Sequence, residues 1–213
     1  MEKFIETLER YLKRNAKDKA HQFVDASIDS LEDLHYFYET VIPKILNNID
    51  CAENDAACIW LEHQMSAIVR SLIETSYLKV IKMKFSQKNP KRVIIACTQD
   101  ETHELGAVIG ANLFEIYGFN TTYIGANTPL FTLKNALDVV NPDYLVLSVT
   151  NAYNLFTLNK LLSVLKKDYP NLTIIGSGRG TTTYQNKLMC DHYIKTSSDL
   201  KAFMKKEGIT CSR

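Results

Sequence analysis

A chain of 213 residues has room for one large domain or two small ones, and 46% hydrophobic residues are enough to build real cores, which excludes wholesale disorder. The formal net charge is +1: residues 1–89 carry 12 Lys+Arg against 14 Asp+Glu, and residues 90–213 carry 13 against 10. Neither part has the basic footprint of a nucleic-acid binder, and no apolar run approaches the roughly 18 residues of a membrane span. The acidic, amphipathic start Met1-Glu2-Lys3-Phe4-Ile5-Glu6 does not read as a signal peptide, so a soluble, cytoplasmic protein is expected. Five cysteines (Cys51, Cys58, Cys97, Cys190, Cys211) are odd in number and form no C-x-x-C, which predicts neither a disulfide framework nor a zinc knuckle.

The first 85 residues have almost no strand or turn punctuation. Phe4, Ile5, Leu8, Tyr11 and Leu12 mark one face of a helix, and a second helix is expected over about 17–28. Ser30 caps a third in this reading, striped by Leu31, Leu34, Tyr38, Val41, Ile42, Ile45 and Ile49, with a kink or a restart at Pro43. Asn54 or Asp55 caps a long fourth helix through Ile59, Met65, Ile68, Leu72, Ile73 and Val80. Short connections between four helices predict an antiparallel four-helix bundle over residues 1–85. Ser86-Gln87-Lys88-Asn89-Pro90, polar and ending in proline, reads as a linker over 86–91.

From residue 92 the period changes. Strands at about 92–97, 121–124, 143–149, 172–175 and 192–194 alternate with helical stretches at about 103–117, 129–140, 155–168, 180–189 and 198–206. Helix starts are expected at Thr128-Pro129, with proline in the first helical position, at Asn154, and at Ser197 or Ser198; Gly118 ends the first helix. Five βα units predict an α/β fold with a doubly wound five-stranded parallel sheet over 92–213.

Three loops at the carboxyl ends of these strands hold the candidate chemistry, where open α/β sheets bind ligands. After the first strand, Glu101-Thr102-His103-Glu104-Leu105-Gly106 sets a histidine two residues beyond a carboxylate. An imidazole can bind a metal through one nitrogen while Glu101 orients the other. A helix cap, with Gly106 and Gly110 allowing close helix–sheet packing, accounts for these residues equally well. After the third strand, Ser148-Val149-Thr150 offers hydroxyls to a buried polar group, or caps the helix that follows. After the fourth, Gly176-Ser177-Gly178-Arg179-Gly180 allows a backbone to approach a ligand, or simply a tight turn; it lacks the lysine of a P-loop.

Taken together, Glu101-x-His103-x-x-Gly106, Ser148-x-Thr150 and Ser177-Gly178 resemble the cobalamin-binding domain family, whose pattern is D-x-H-x-x-G, S-x-L or S-x-T, and G-G. The resemblance covers residues 90–206. It implies a flavodoxin-like domain that binds cobalamin base-off, with His103 as the lower cobalt ligand and Glu101 behind it. Ser148, Thr150, Ser177 and Gly178 would then surround the displaced nucleotide tail, with Thr102, Gly106 and Val149 also binding the cofactor and Glu62 and His63 facing the upper ligand. Members with a helical cap, among them methionine synthase modules, corrinoid methyl carriers and cobalamin-dependent photoreceptors of the MerR-associated branch, place a four-helix bundle before this domain. The photoreceptor branch carries W-x9-E-H over the upper face of the cofactor, and Glu62-His63 matches its E-H.

Three departures qualify the match. Glutamate stands for aspartate at 101, Ser177 for the first glycine of G-G, and Ala52 for the tryptophan ten residues before Glu62. The single tryptophan, Trp60, stands one turn from His63 and either lies with it on the bundle's inner face or, the preferred reading, is core packing. The resemblance implies a sensor or regulatory module acting through a protein partner or through self-association. The photoreceptors' DNA-binding helix-turn-helix is not found ahead of the bundle, so no direct nucleic-acid contact is expected. The alternatives are a corrinoid methyl carrier serving a methyltransferase, and an interaction protein that has lost the cofactor. No dyad or triad makes the chain an enzyme by itself, and the upper ligand (adenosyl, methyl or hydroxo) is left open.

Overall fold

The structure, a computed structural model, describes residues 2–49 and 55–212, which form two compact units, Met1–Met83 and Lys84–Arg213. The expectations about Ala52, Cys51 and Asn54 lie outside the described residues.

In the first unit, α1 (Glu2–Lys13) buries Ile5, Leu8 and Leu12, and α2 (Lys17–Ser27) buries Ala20 and Val24. Ser30 caps α3 (Leu31–Tyr36) through a full capping box with Asp33. The chain then passes through a π-helical turn, Phe37–Val41, into α4 (Ile42–Asn47). The backbone stays right-handed helical from α3 through this turn into α4, so Pro43 neither stops nor restarts the helix; the π-helical turn just before it takes up the irregularity that the proline imposes. α5 (Ala56–Met83) buries Met65, Ile68, Val69, Leu72, Ile73, Ser76 and Val80, and Asp55 caps it by accepting from the Cys58 amide at 3.1 Å. One expectation fails here. Trp60 is 64% exposed and therefore is not core packing. Cys58 is disulfide-bonded, whereas Cys97, Cys190 and Cys211 are free thiols.

The second unit opens with β1 (Ser86–Gln87), continues through β2 (Arg92–Thr98), α6 (Leu105–Ile116), β3 (Asn120–Thr128), α7 (Leu130–Val140), β4 (Tyr144–Ser148), α8 (Leu155–Asp168), β5 (Thr173–Ser177), α9 (Gly178–Thr183), β6 (His192–Tyr193) and α10 (Ser197–Lys206), and ends with β7 (Cys211–Ser212). The five-stranded sheet is parallel throughout, in the order β3-β2-β4-β5-β6, the doubly wound flavodoxin-like arrangement the sequence predicts. The two-stranded pairing of β1 with β7 is not visible in the hydrophobic pattern, because both strands are two residues long.

Strand alternation gives the sheet two faces. Ile94, Ala96, Leu145, Leu147 and Ile174 pack with Leu133 and Leu137 of α7 and Leu158, Leu161, Leu162 and Leu165 of α8 in one cluster. On the other face Tyr144 stacks edge-on between Phe119 and Phe203 of α10. Along the carboxyl edge of that face Cys97, Ser148 and Ser177 lie side by side in register.

Local boundaries differ from expectation where tertiary bonds compete. Pro129, not Thr128, is the N-cap of α7, because Thr128 stays in the strand and donates to the Gly125 carbonyl. Thr196, not Ser197 or Ser198, caps α10, through a capping box with Asp199. The helix expected over 180–189 stops at Thr183. Thr181 and Thr182 turn their hydroxyls back onto the Ser177, Gly178 and Arg179 carbonyls, a habit that disfavours helix propagation. Beyond it, the Tyr193 hydroxyl donates to the Gln185 and Leu188 carbonyls and holds the chain in a single 3-10 turn.

Candidate functional site

The site is built on one buried carboxylate. Glu101 has no exposed surface, and the loop carrying it turns sharply after β2, with Asp100 in the left-handed region at φ 67°. Asn127 of β3 holds that turn: its side-chain oxygen accepts from the Asp100 amide at 2.8 Å and its own amide donates to the Glu101 carbonyl at 2.9 Å. Glu101 Oε1 accepts from the His103 amide at 3.0 Å and from His103 Nδ1 at 2.6 Å. Glu101 Oε2 accepts from the amides of Thr150 and Asn151, each at 2.9 Å, and from the Asn154 side-chain nitrogen at 3.2 Å. Burial pushes this carboxyl upward, but the Asn151, His103 and Thr150 donors outweigh it and hold the group below the usual carboxylate range.

An ionised carboxylate only accepts, so His103 Nδ1 carries a proton toward it, and in the neutral ring Nε2 keeps the free lone pair. The imidazole is 62% exposed and lines a cavity of about 440 Å³ shared with Thr150, Asn151, Arg179 and Thr183. Among the described residues no three His, Cys, Asp or Glu side chains converge as a metal-binding group. A metal at His103 must therefore arrive with its other ligands, as cobalt does in a corrin ring.

The remaining sequence candidates fall into three groups. Ser148 is buried and its hydroxyl has no hydrogen-bond partner, a group that asks for a ligand atom. Beside it the Cys97 thiol is pushed up to about 12 by burial and by Glu101 and Glu104, which leaves it protonated and inert. Cβ atoms added at Gly106 or Gly110 on α6 would meet nothing within 4 Å, so both glycines border open space. Val149 receives the glycine loop: its amide donates to Ser177, and its carbonyl accepts from Gly180 at 2.9 Å. Gly178, at φ 85°, has no alternative residue, since a Cβ there would stand 2.6 Å from the Val149 carbonyl oxygen. Thr102 is exposed. Glu62 and His63 belong to the first unit, on α5, where His63 Nδ1 lies 3.1 Å from Glu62 and Glu62 also accepts from Ser66.

Asn151 and Asn154 are the residues that sequence reasoning missed as parts of the site. Asn154 was legible only as a helix start; it makes no cap bond and spends its side chain on Glu101 and the Asp100 carbonyl instead.

The B12 binding domain model matches residues 91–197, half of the chain and all three of these loops. The chain belongs to the B12-binding domain family. Its cofactor is cobalamin, and the free Nε2 of His103, the unpartnered Ser148 hydroxyl and the open flank of α6 fit that group. No curated protein sequence matches the chain. Among solved structures, the monomethylamine corrinoid protein of Methanosarcina barkeri superposes with a TM-score of 0.75 at 12% identity, over 96% of this chain and 99% of that one. A cobalamin-binding protein from Desulfitobacterium hafniense DCB-2 matches with 0.51 at 15% identity, over 95% and 97%. The methanol:cobalamin methyltransferase complex of Methanosarcina barkeri matches with 0.51 at 12% identity, over 96% of this chain and 79% of that one. At these identities the likeness is one of fold, a helical unit followed by a parallel α/β unit.

Proposed function

We propose that the protein is a corrinoid carrier that holds cobalamin base-off through His103 and works with a methyltransferase partner rather than as an enzyme alone. When bound, the cofactor supplies a cobalt centre able to accept and give up a methyl group. His103 would offer Nε2 to the cobalt, and Glu101 would hold the ring's tautomer and raise its basicity. Asn154 and the Thr150 and Asn151 amides would keep Glu101 ionised and in place. Ser148, Thr150, Ser177 and Gly178 would surround the nucleotide tail, with Thr102, Gly106 and Val149 at its borders. The observation carrying this reading is the His103 Nδ1–Glu101 bond at 2.6 Å, which leaves Nε2 free on an exposed ring. What supports the carrier role is the likeness to a corrinoid protein over nearly the whole of both chains.

A second reading, a regulatory module of the photoreceptor-like branch acting through a protein partner or self-association, is favoured by the exposed Trp60 beside the paired Glu62 and His63. One experiment separates them. Protein loaded with methylcobalamin is incubated with a methyltransferase and its thiol acceptor, and loss of the methyl group is followed by absorbance. The carrier reading expects demethylation at a rate that depends on the partner. Stable retention of adenosylcobalamin in the dark, with an oligomer change on illumination and no demethylation, would sink it. A protein that binds neither form is an interaction protein that has lost the cofactor.

A further inference from the structure

We infer that Arg179 is an anion clamp for the phosphodiester of the cofactor's nucleotide tail, and that it makes the protein select complete cobamides over corrinoids lacking the phosphate. The inference rests on the proposed seating of cobalamin on His103. Arg179 is exposed and lines the same 440 Å³ cavity as His103, together with Thr150 and Thr183. Among the described residues, no carboxylate lines this cavity and none pairs with the guanidinium. Glu101, the nearby acid, already accepts five donors and is fully buried.

The position of this cation is held by backbone rather than by chance. Gly178 and Gly180, on either side of Arg179, both press on the Val149 carbonyl, which accepts from the Gly180 amide at 2.9 Å. The next two residues, Thr150 and Asn151, give their amides to Glu101, and Glu101 holds His103. A rigid chain of short contacts thus ties the guanidinium's root to the imidazole. Any ligand large enough to reach Nε2 and fill the shared cavity meets a free cation there. The amide-rimmed corrin ring is neutral at its edge, so the phosphodiester is the one anionic group that cobalamin can bring. Guanidinium is suited to it, because its forked donors match two phosphate oxygens.

The test measures affinity, by the change in visible absorbance, for cobalamin, for cobinamide phosphate and for cobinamide, with wild type, Arg179→Gln and Arg179→Lys. Wild type is expected to bind the two phosphate-bearing corrinoids more tightly than cobinamide. Arg179→Gln should weaken those two about ten-fold, with a shallower salt dependence, and leave cobinamide unchanged; Arg179→Lys should recover part of the loss. Equal weakening for all three corrinoids, or no weakening at all, overturns the clamp while cobalamin binding by wild type still stands. If wild type binds no corrinoid, the seating on His103 fails first and the clamp with it. Unchanged thermal unfolding of the apo variants excludes a folding defect as the cause.

Discussion

The two faces of the parallel sheet are made by the same strands and end in opposite chemistry. Against α7 and α8, Ala96 and Leu147 sit in a closed apolar cluster. One residue further along the same strands, Cys97 and Ser148 point to the other face, where a buried hydroxyl lacks a partner and two helix glycines border open space. Proteins ordinarily pair such hydroxyls. The contrast teaches that one face is optimised for the apo fold and the other for something that arrives later.

The comparison can be broken most strongly at neighbouring residues. Leu147→Ala should cost about 2–5 kcal/mol in denaturant unfolding and leave the spectrum of bound cobalamin unchanged in the molecules that remain folded. Ser148→Ala should leave apo stability almost untouched, because it removes an unsatisfied hydroxyl, yet weaken cobalamin binding. If both variants lose stability alike, the second face is ordinary core.

Glu101→Gln comes next. It turns a carboxylate toward amide donors into an amide, and apo stability should fall by about 3 kcal/mol. The sign with pH follows from the lowered carboxyl pKa: the contribution is complete above the ordinary value of 4.5 and is lost as pH falls through the lower folded value. Wild-type and variant unfolding curves should therefore differ by a constant amount from pH 8 to about 5 and converge only in stronger acid. Convergence near neutrality would mean that Glu101 is not held ionised.

Smaller effects sharpen the same contrast at glycines. Gly178→Ala should cost about 1–3 kcal/mol, since the added methyl meets the Val149 carbonyl in a left-handed residue. Gly106→Ala meets nothing and should raise apo stability by about 0.5–1 kcal/mol through helix propensity, while lowering cobalamin affinity. A variant that is more stable and binds as tightly would show that the space beside α6 serves no ligand.

What was legible in the sequence follows from the range of the forces involved. The runs Val93–Cys97 and Tyr144–Ser148, buried on both faces, are continuous apolar stretches and read as central strands without ambiguity. The loops after them are then placed at one edge by topology alone, which is how Glu101, His103, Ser148 and Ser177 could be grouped. Side-chain destinations were not legible. Asn154 has the composition of a cap but reaches back to Glu101, and Thr128 reads as a cap but remains in β3. Trp60 reads as core by residue type alone, yet it stands exposed on α5. Arg179 carries no spacing signal at all, because only the contacts of Gly178 and Gly180 with Val149 bring it to His103's cavity.

The central claim is that His103 Nε2 is the cobalt ligand. It is tested most directly by electron paramagnetic resonance of the protein loaded with cobalamin and reduced to the cobalt(II) state, prepared with natural-abundance or 15N-labelled histidine. The account predicts that the nitrogen superhyperfine triplet becomes a doublet on histidine labelling, and that His103→Ala loses the histidine signature. A triplet that survives labelling would show the cofactor's own base still on cobalt, and would contradict the account.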